Sequence, residues 1–176
     1  SSARKTSGNK NHGVSISSID ELRRYANDPQ LAKTVTQVSL YDNQITEIPK
    51  EIGNLINLKA ICLIDNQISE IPKEIGNLIN LKALDLSRNQ ITKLPREIGN
   101  LINLEELVLD SNQITELPRE IGNLINLEEL DLYGNQIQSP AQELLLNVWT
   151  PSGFNPKVAE LLFPHLPSQQ TSIRRY

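Results

Sequence analysis

A chain of 176 residues is one domain by length and long enough to bury a continuous core. Apolar residues make up 38% of it but aromatics only 4%, so leucine and isoleucine must do the packing, which suits a regular stack better than an irregular globule. The net charge of −4 argues against a nucleic-acid surface, which needs clustered lysine and arginine, and one cysteine excludes an internal disulfide framework.

No apolar run approaches the roughly 20 residues that span a bilayer, and the first residues lack the apolar segment of a signal peptide. Methionine is absent even from position 1, the mark of a trimmed or recombinant start, so a missing targeting signal says little about the compartment.

Residues 1–13 are mostly Ser, Lys, Asn and Gly without apolar periodicity and read as a disordered tail, with Arg4, Lys5 and Lys10 as solvating charges. Residues 14–34 read as an N-terminal helical cap. Ser18 and Glu21 form a Ser-x-x-Glu capping box, and Ile19, Leu22, Tyr25 and Ala26 fall on one helical face. Asp28-Pro29 ends that helix, because the residue before proline is pushed out of the helical region, and Leu31 and Ala32 begin another short turn.

From 35 to 140 one frame returns five times. Its asparagines are Asn43, Asn66, Asn89, Asn112 and Asn135, each 23 residues after the last, and a period of that size means stacked repeats. Apolar alternation at 38/40, 61/63, 84/86, 107/109 and 130/132 predicts a short strand with those side chains inward. One short strand per repeat must pair in parallel with its counterparts in neighbouring repeats. Each return segment, such as Ile48 to Leu55, starts on proline, allows about one helical or 3₁₀ turn, and reaches a glycine expected to permit the closing bend.

After Ile137 the frame breaks. Ser139-Pro140 replaces the return proline, Ala141 to Val148 reads as a leucine-dense helix, and Pro156 opens a second helix through Leu162. Residues 141–167 are therefore expected to form a C-terminal helical cap, and 168–176 a loose tail.

The pattern L-x-x-L-x-L-x-x-N-x-L followed by I-P-x-E-I-G-N-L resembles the leucine-rich repeat family, of the 23-residue type, over roughly residues 35 to 146. The wording of the return segment is similar to bacterial members, host-associated bacteria included, and to intracellular plant and animal relatives. The resemblance implies an α/β solenoid: a right-handed curved superhelix with a parallel sheet on its concave face, here with helical caps. It also implies macromolecular ligands bound across that sheet. Two roles follow from it: a protein-interaction module, with a bacterial protein acting on a host target as the sharper form, or the substrate-recognition part of a larger enzyme such as a ubiquitin ligase or a kinase-type signalling protein. The cytoplasm or a host cell is expected ahead of a membrane-embedded location.

The repeats supply an internal control, since some columns are nearly fixed and others differ in every copy. The fixed apolar columns are assigned to the core, and the asparagines to turn backbone groups in their own and the adjoining repeat. The varying columns face out of the sheet, and from them come the expected partner-binding residues: Tyr41, Cys62, Ile64, Asp65, Asp85, Arg88, Glu106, Val108, Asp110, Glu129, Asp131 and Tyr133. Charge there is uneven. Lys59 and Asp65 cancel in the second repeat, while the fourth carries Glu105, Glu106 and Asp110 and the fifth Glu128, Glu129 and Asp131. An acidic end of this kind attracts a basic protein surface, and Tyr41, Ile64, Val108 and Tyr133 are apolar or aromatic anchors.

Tests for chemistry point away from an enzyme. His12 and His165 lie outside the repeats, Cys62 has no histidine near it in the frame, and neither Cys-His metal spacing nor a phosphate loop occurs. No catalytic residue, metal or cofactor is expected, and the protein is expected to be a monomer.

Overall fold

The computed structural model describes residues 13–41 and 44–137. Asp42, Asn43, the N-terminal tail to His12, and the expected C-terminal cap and tail lie outside the described residues.

Among the described residues, six strands form one parallel sheet in chain order: β1 (Val14–Ile16), β2 (Val35–Ser39), β3 (Ala60–Cys62), β4 (Ala83–Asp85), β5 (Glu106–Val108) and β6 (Glu129–Asp131). From β2 onward the register is constant, with Val38 opposite Ile61, Ile61 opposite Leu84, Leu84 opposite Leu107 and Leu107 opposite Leu130. A three-residue strand cannot satisfy its own backbone, so each repeat depends on both neighbours for its hydrogen bonds.

β2 to β6 are the five strands that the apolar alternation predicts. The sixth, β1, falls in the stretch read as a helical cap. Three residues are too few to carry a period-two signal, yet Ile16 is fully buried and the strand pairs with β2 through an irregularity between Val14 and Ser15. A side chain at Gly13 would collide with Thr36, which explains a glycine where β1 meets β2.

Two helices follow, α1 (Ile19–Ala26) and α2 (Pro29–Ala32). Ser18 Oγ accepts from Glu21 N at 3.1 Å, while the Glu21 carboxylate reaches back to Ser17 N at 3.2 Å rather than to the capping residue itself. Leu22 and Ala26 are buried, and α1 packs on the first return segment. Asn54 Nδ2 donates to Ala26 O at 3.0 Å and so satisfies one of the carbonyls that a helix end leaves unpaired.

The return segments are 3₁₀ helices: η1 (Lys50–Asn54), η2 (Lys73–Asn77), η3 (Arg96–Asn100) and η4 (Arg119–Asn123). A proline with φ between −60° and −68° precedes each one, its preset φ suiting an extended lead-in. The glycine of each segment has a different cause from the expected bend. Among the described glycines only Gly134 has positive φ. A Cβ at Gly76 would lie 2.8 Å from Glu97 O, and one at Gly99 would lie 2.6 Å from Glu120 O. Glycine is needed there because consecutive 3₁₀ helices touch backbone to backbone.

The core is the inward rows of the strands with the isoleucines of the 3₁₀ helices. Val38, Leu40, Ile61, Leu63, Leu84, Leu86, Leu107, Leu109, Leu130 and Leu132 are at most 2% exposed, as are Ile52, Ile75, Ile98 and Ile121. One fixed apolar column departs from that assignment: Ile56, Ile79, Ile102 and Ile125 are 45–59% exposed, in a row beside the N-terminal ends of the strands.

The described asparagines of the frame do what their spacing predicts. Asn89 Nδ2 donates to Leu86 O and Ser87 O in its own repeat and to Leu63 O in the preceding one, and its Oδ1 accepts from Ile68 N. Asn66 and Asn112 repeat the arrangement. A second ladder at the other end of the strands was not foreseen. There Asn57, Asn80, Asn103 and Asn126 each donate to a carbonyl one repeat back, at 2.7–3.1 Å. Among the described residues no buried side-chain polar atom lacks a partner.

Candidate functional site: the outward face of the sheet

Between the buried rows, the sheet presents the columns that vary from repeat to repeat. Cys62, Asp85, Val108 and Asp131 lie side by side on β3 to β6, and Ala83, Glu106 and Glu129 form the row beside them. Where the chain leaves the strands, Tyr41 and Tyr133 are 65% and 63% exposed, with Ile64 and Asp110 half-buried. Tyr41 and Tyr133 therefore stand at opposite ends of the face.

The next column has a backbone signature. Asp65, Arg88 and Ser111 have φ of 58°, 55° and 56°, and Gly134 has 72°. Left-handed residues turn the chain sharply off the strand and send Asp65 and Arg88 into solvent. There they form an ion pair, Nη1 to Oδ2 at 3.5 Å, worth at most about 1 kcal/mol because both groups are well exposed.

The acidic residues at this end fall into two kinds. Asp85 Oδ1 accepts from Ser87 N at 3.0 Å and from Ser87 Oγ at 2.7 Å, and Asp131 Oδ1 accepts from Tyr133 N at 3.0 Å. These carboxylates brace the turn that follows the strand, and Asp131 is only 4% exposed. Asp110 and Glu129 are half-buried and Glu106 is exposed. Asp85, Ser87, Val108, Asp110, Glu129, Asp131 and Tyr133 line a concavity of about 560 Å³. Of the expected site residues the fold thus gathers six around this acidic hollow. Tyr41, Cys62, Ile64, Asp65 and Arg88 lie toward the other end, and Glu106 lies on β5 beside Glu129. Ser87 shares the spacing of Ile64, Asp110 and Tyr133 but is buried and bonded to Asp85, and its small size is the one signal in the sequence that it completes a turn.

A second, larger groove of about 820 Å³ opens at the N-terminal ends of the strands, where Lys33, Lys59 and Lys82 lie with Thr34, Thr36 and three asparagines of the second ladder, Asn57, Asn80 and Asn103. Summing Lys59 against Asp65 hides this groove, because Lys59 precedes β3 and Asp65 follows it, at opposite edges of the sheet. Among the described residues no group of three His, Cys, Asp or Glu is arranged to hold a metal ion, and no helix is long and apolar enough to cross a membrane.

One strand and one 3₁₀ turn per 23 residues, stacked in register behind an open variable face, define a stacked-repeat scaffold. The chain belongs to the leucine-rich repeat family: the model of the leucine-rich repeat region matches residues 37–146. Among solved structures it is similar to a leucine-rich repeat protein of Leptospira interrogans, with 36% identity and a TM-score of 0.62 over 84% of this chain and 33% of that one. It is also similar to a TDR receptor (35% identity, TM-score 0.56, 59% of this chain and 19% of that one) and to the PEPR1–AtPEP1 structure (26%, 0.56, 65% and 17%). The chain therefore spans about a third of the Leptospira protein and a fifth or less of the other two. No curated protein matches it. Leucine-rich repeats commonly mediate protein–protein interaction and are typically non-enzymatic binding modules.

Proposed function

We propose that this chain binds a protein partner across the concave sheet, with the acidic fourth and fifth repeats attracting a basic surface of that partner. The observation that carries this reading is the division of columns. The apolar strand columns and the frame asparagines, which repeat, hold the stack together, whereas the columns that vary, Ser87 and Asp131 apart, meet solvent on one continuous face about 24 Å wide, from six strands spaced about 4.8 Å apart. That width suits a protein segment better than a small molecule. Val108 and Tyr133 beside Asp110 and Glu129 combine anchors with charge, and the charge speeds encounter more than it deepens affinity. The sharper form of the proposal, a bacterial protein acting on a host target, draws on the return-segment wording for its host side and on that wording with the likeness to the Leptospira protein for its bacterial side.

A labelled lysine-rich peptide tests the acidic face by fluorescence anisotropy. Wild type should bind it at low salt and release it as salt rises. Reversal of Glu105, Glu106, Glu128 and Glu129 to lysine should weaken binding by about tenfold or more, as repulsion replaces attraction at four positions. Equal binding by the two proteins at low salt would sink the acidic-face reading.

A further inference from the structure

We propose that the groove at the N-terminal ends of the strands is a second subsite, which takes the acidic end of an extended partner segment whose basic end sits in the acidic hollow. This rests on the reading of the sheet as a protein-binding face and adds to it the chemistry of the occupant. Lys33, Lys59 and Lys82 are all exposed and line one groove. No acidic side chain is among the residues lining it. The column that supplies Lys59 and Lys82 continues as Glu105 and Glu128. The sign changes between β4 and β5, and the pair Lys82 Nζ to Glu105 Oε1, at 3.5 Å, marks the boundary.

That boundary selects the occupant. A nucleic acid following the strand ends would leave the lysines and meet Glu105 and Glu128 within two repeats, so its evenly charged backbone mismatches the face. A peptide can change sign as the surface does. From Lys59 to the acidic hollow at Asp131 is three repeats along the stack and three residues along the strand. That diagonal is about 17 Å, or about five residues of extended chain. The fitting segment is acidic at one end, basic at the other, and carries about five residues between.

Three labelled peptides test this by anisotropy: one with an acidic cluster only, one with a basic cluster only, and one with both joined by about five neutral residues. Wild type should bind the two-signed peptide about tenfold or more tighter than either single-signed one, because the second contact becomes intramolecular. The variant Lys33→Glu/Lys59→Glu/Lys82→Glu changes only exposed side chains. With its circular dichroism unchanged, it should lose the acidic peptide, bind the two-signed peptide no better than the basic one, and keep the basic one. The subsite is refuted if the acidic peptide binds wild type and variant alike, or if the two-signed peptide gains nothing over the basic one. A single-stranded oligonucleotide that binds wild type better than the acidic peptide overturns the choice of occupant. Continued binding of the basic peptide in any of these cases leaves the acidic-face reading standing, whereas its loss from wild type removes that reading too.

Discussion

Ser111 holds a left-handed backbone at φ 56°, the conformation that Gly134 holds one repeat later at 72°. An L-residue with a Cβ adopts it at a cost of about 1–2 kcal/mol, part of which glycine gives back through its freedom in the unfolded chain. Ser111→Gly should therefore raise stability by about 0.5–1 kcal/mol, seen as a thermal midpoint about 2 °C higher, while Ser111→Val should lower it. This column was invisible in the sequence for a clear reason. Asp65, Arg88 and Ser111 share no chemistry, and only Gly134 carries the usual mark of positive φ. The buried aspartate tells a similar story. Spacing places Asp131 on the outward face, where it lies, but cannot show that its carboxylate is bonded to the Tyr133 amide.

Elements were more legible than residues. Proline, one short turn and a glycine predicted each 3₁₀ return, because those residue types limit the backbone directly. The reason for the glycine was not legible, since the contact that demands it is between repeats. Gly76→Ala should cost about 2 kcal/mol or more, because the added methyl meets the Glu97 backbone, which cannot swing aside as a side-chain end does. Urea denaturation checks this, and a loss under about 0.5 kcal/mol, below the overpacking range, would contradict the proposed close contact. β1 escaped detection for the opposite reason: Val14-Ser15-Ile16 is a strand only because β2 offers it an edge. The exposed isoleucines show the limit of reasoning from repetition, since a column can be fixed in type and still face water.

At the scale of the molecule, the stack is a line of units each paired with its neighbours, and the ladder of Asn66, Asn89, Asn112 and Asn135 crosses each joint from β2 to β6. Asn89→Ala removes four hydrogen bonds at the centre of that line and strands the Ile68 amide, while the carbonyls of Leu63, Leu86 and Ser87 keep Asn66 Nδ2, Asn112 Nδ2 and the Asp65 amide as donors. The expected loss is about 3 kcal/mol, with urea denaturation that broadens or splits as the two halves uncouple. A single sharp transition of unchanged midpoint would show that the ladder adds nothing to the joint. The five-repeat frame, its parallel strands and its inward rows were all readable from period alone. The two-signed map of the face was not, because charge summed by repeat discards which end of the strand each charge occupies.

The constant offset of 23 between paired residues from β2 to β6 makes the repeats interchangeable parts. Lys59-Ala60 and Lys82-Ala83 belong to one kind of unit, Glu105-Glu106 and Glu128-Glu129 to another, and each kind occurs twice in succession. Copying or losing one unit in frame restores every pairing and moves the border between the basic and acidic zones by one strand spacing, about 4.8 Å. The face is thus a ruler whose graduations are whole repeats, and it can be re-cut for a longer or shorter ligand without altering a single side chain.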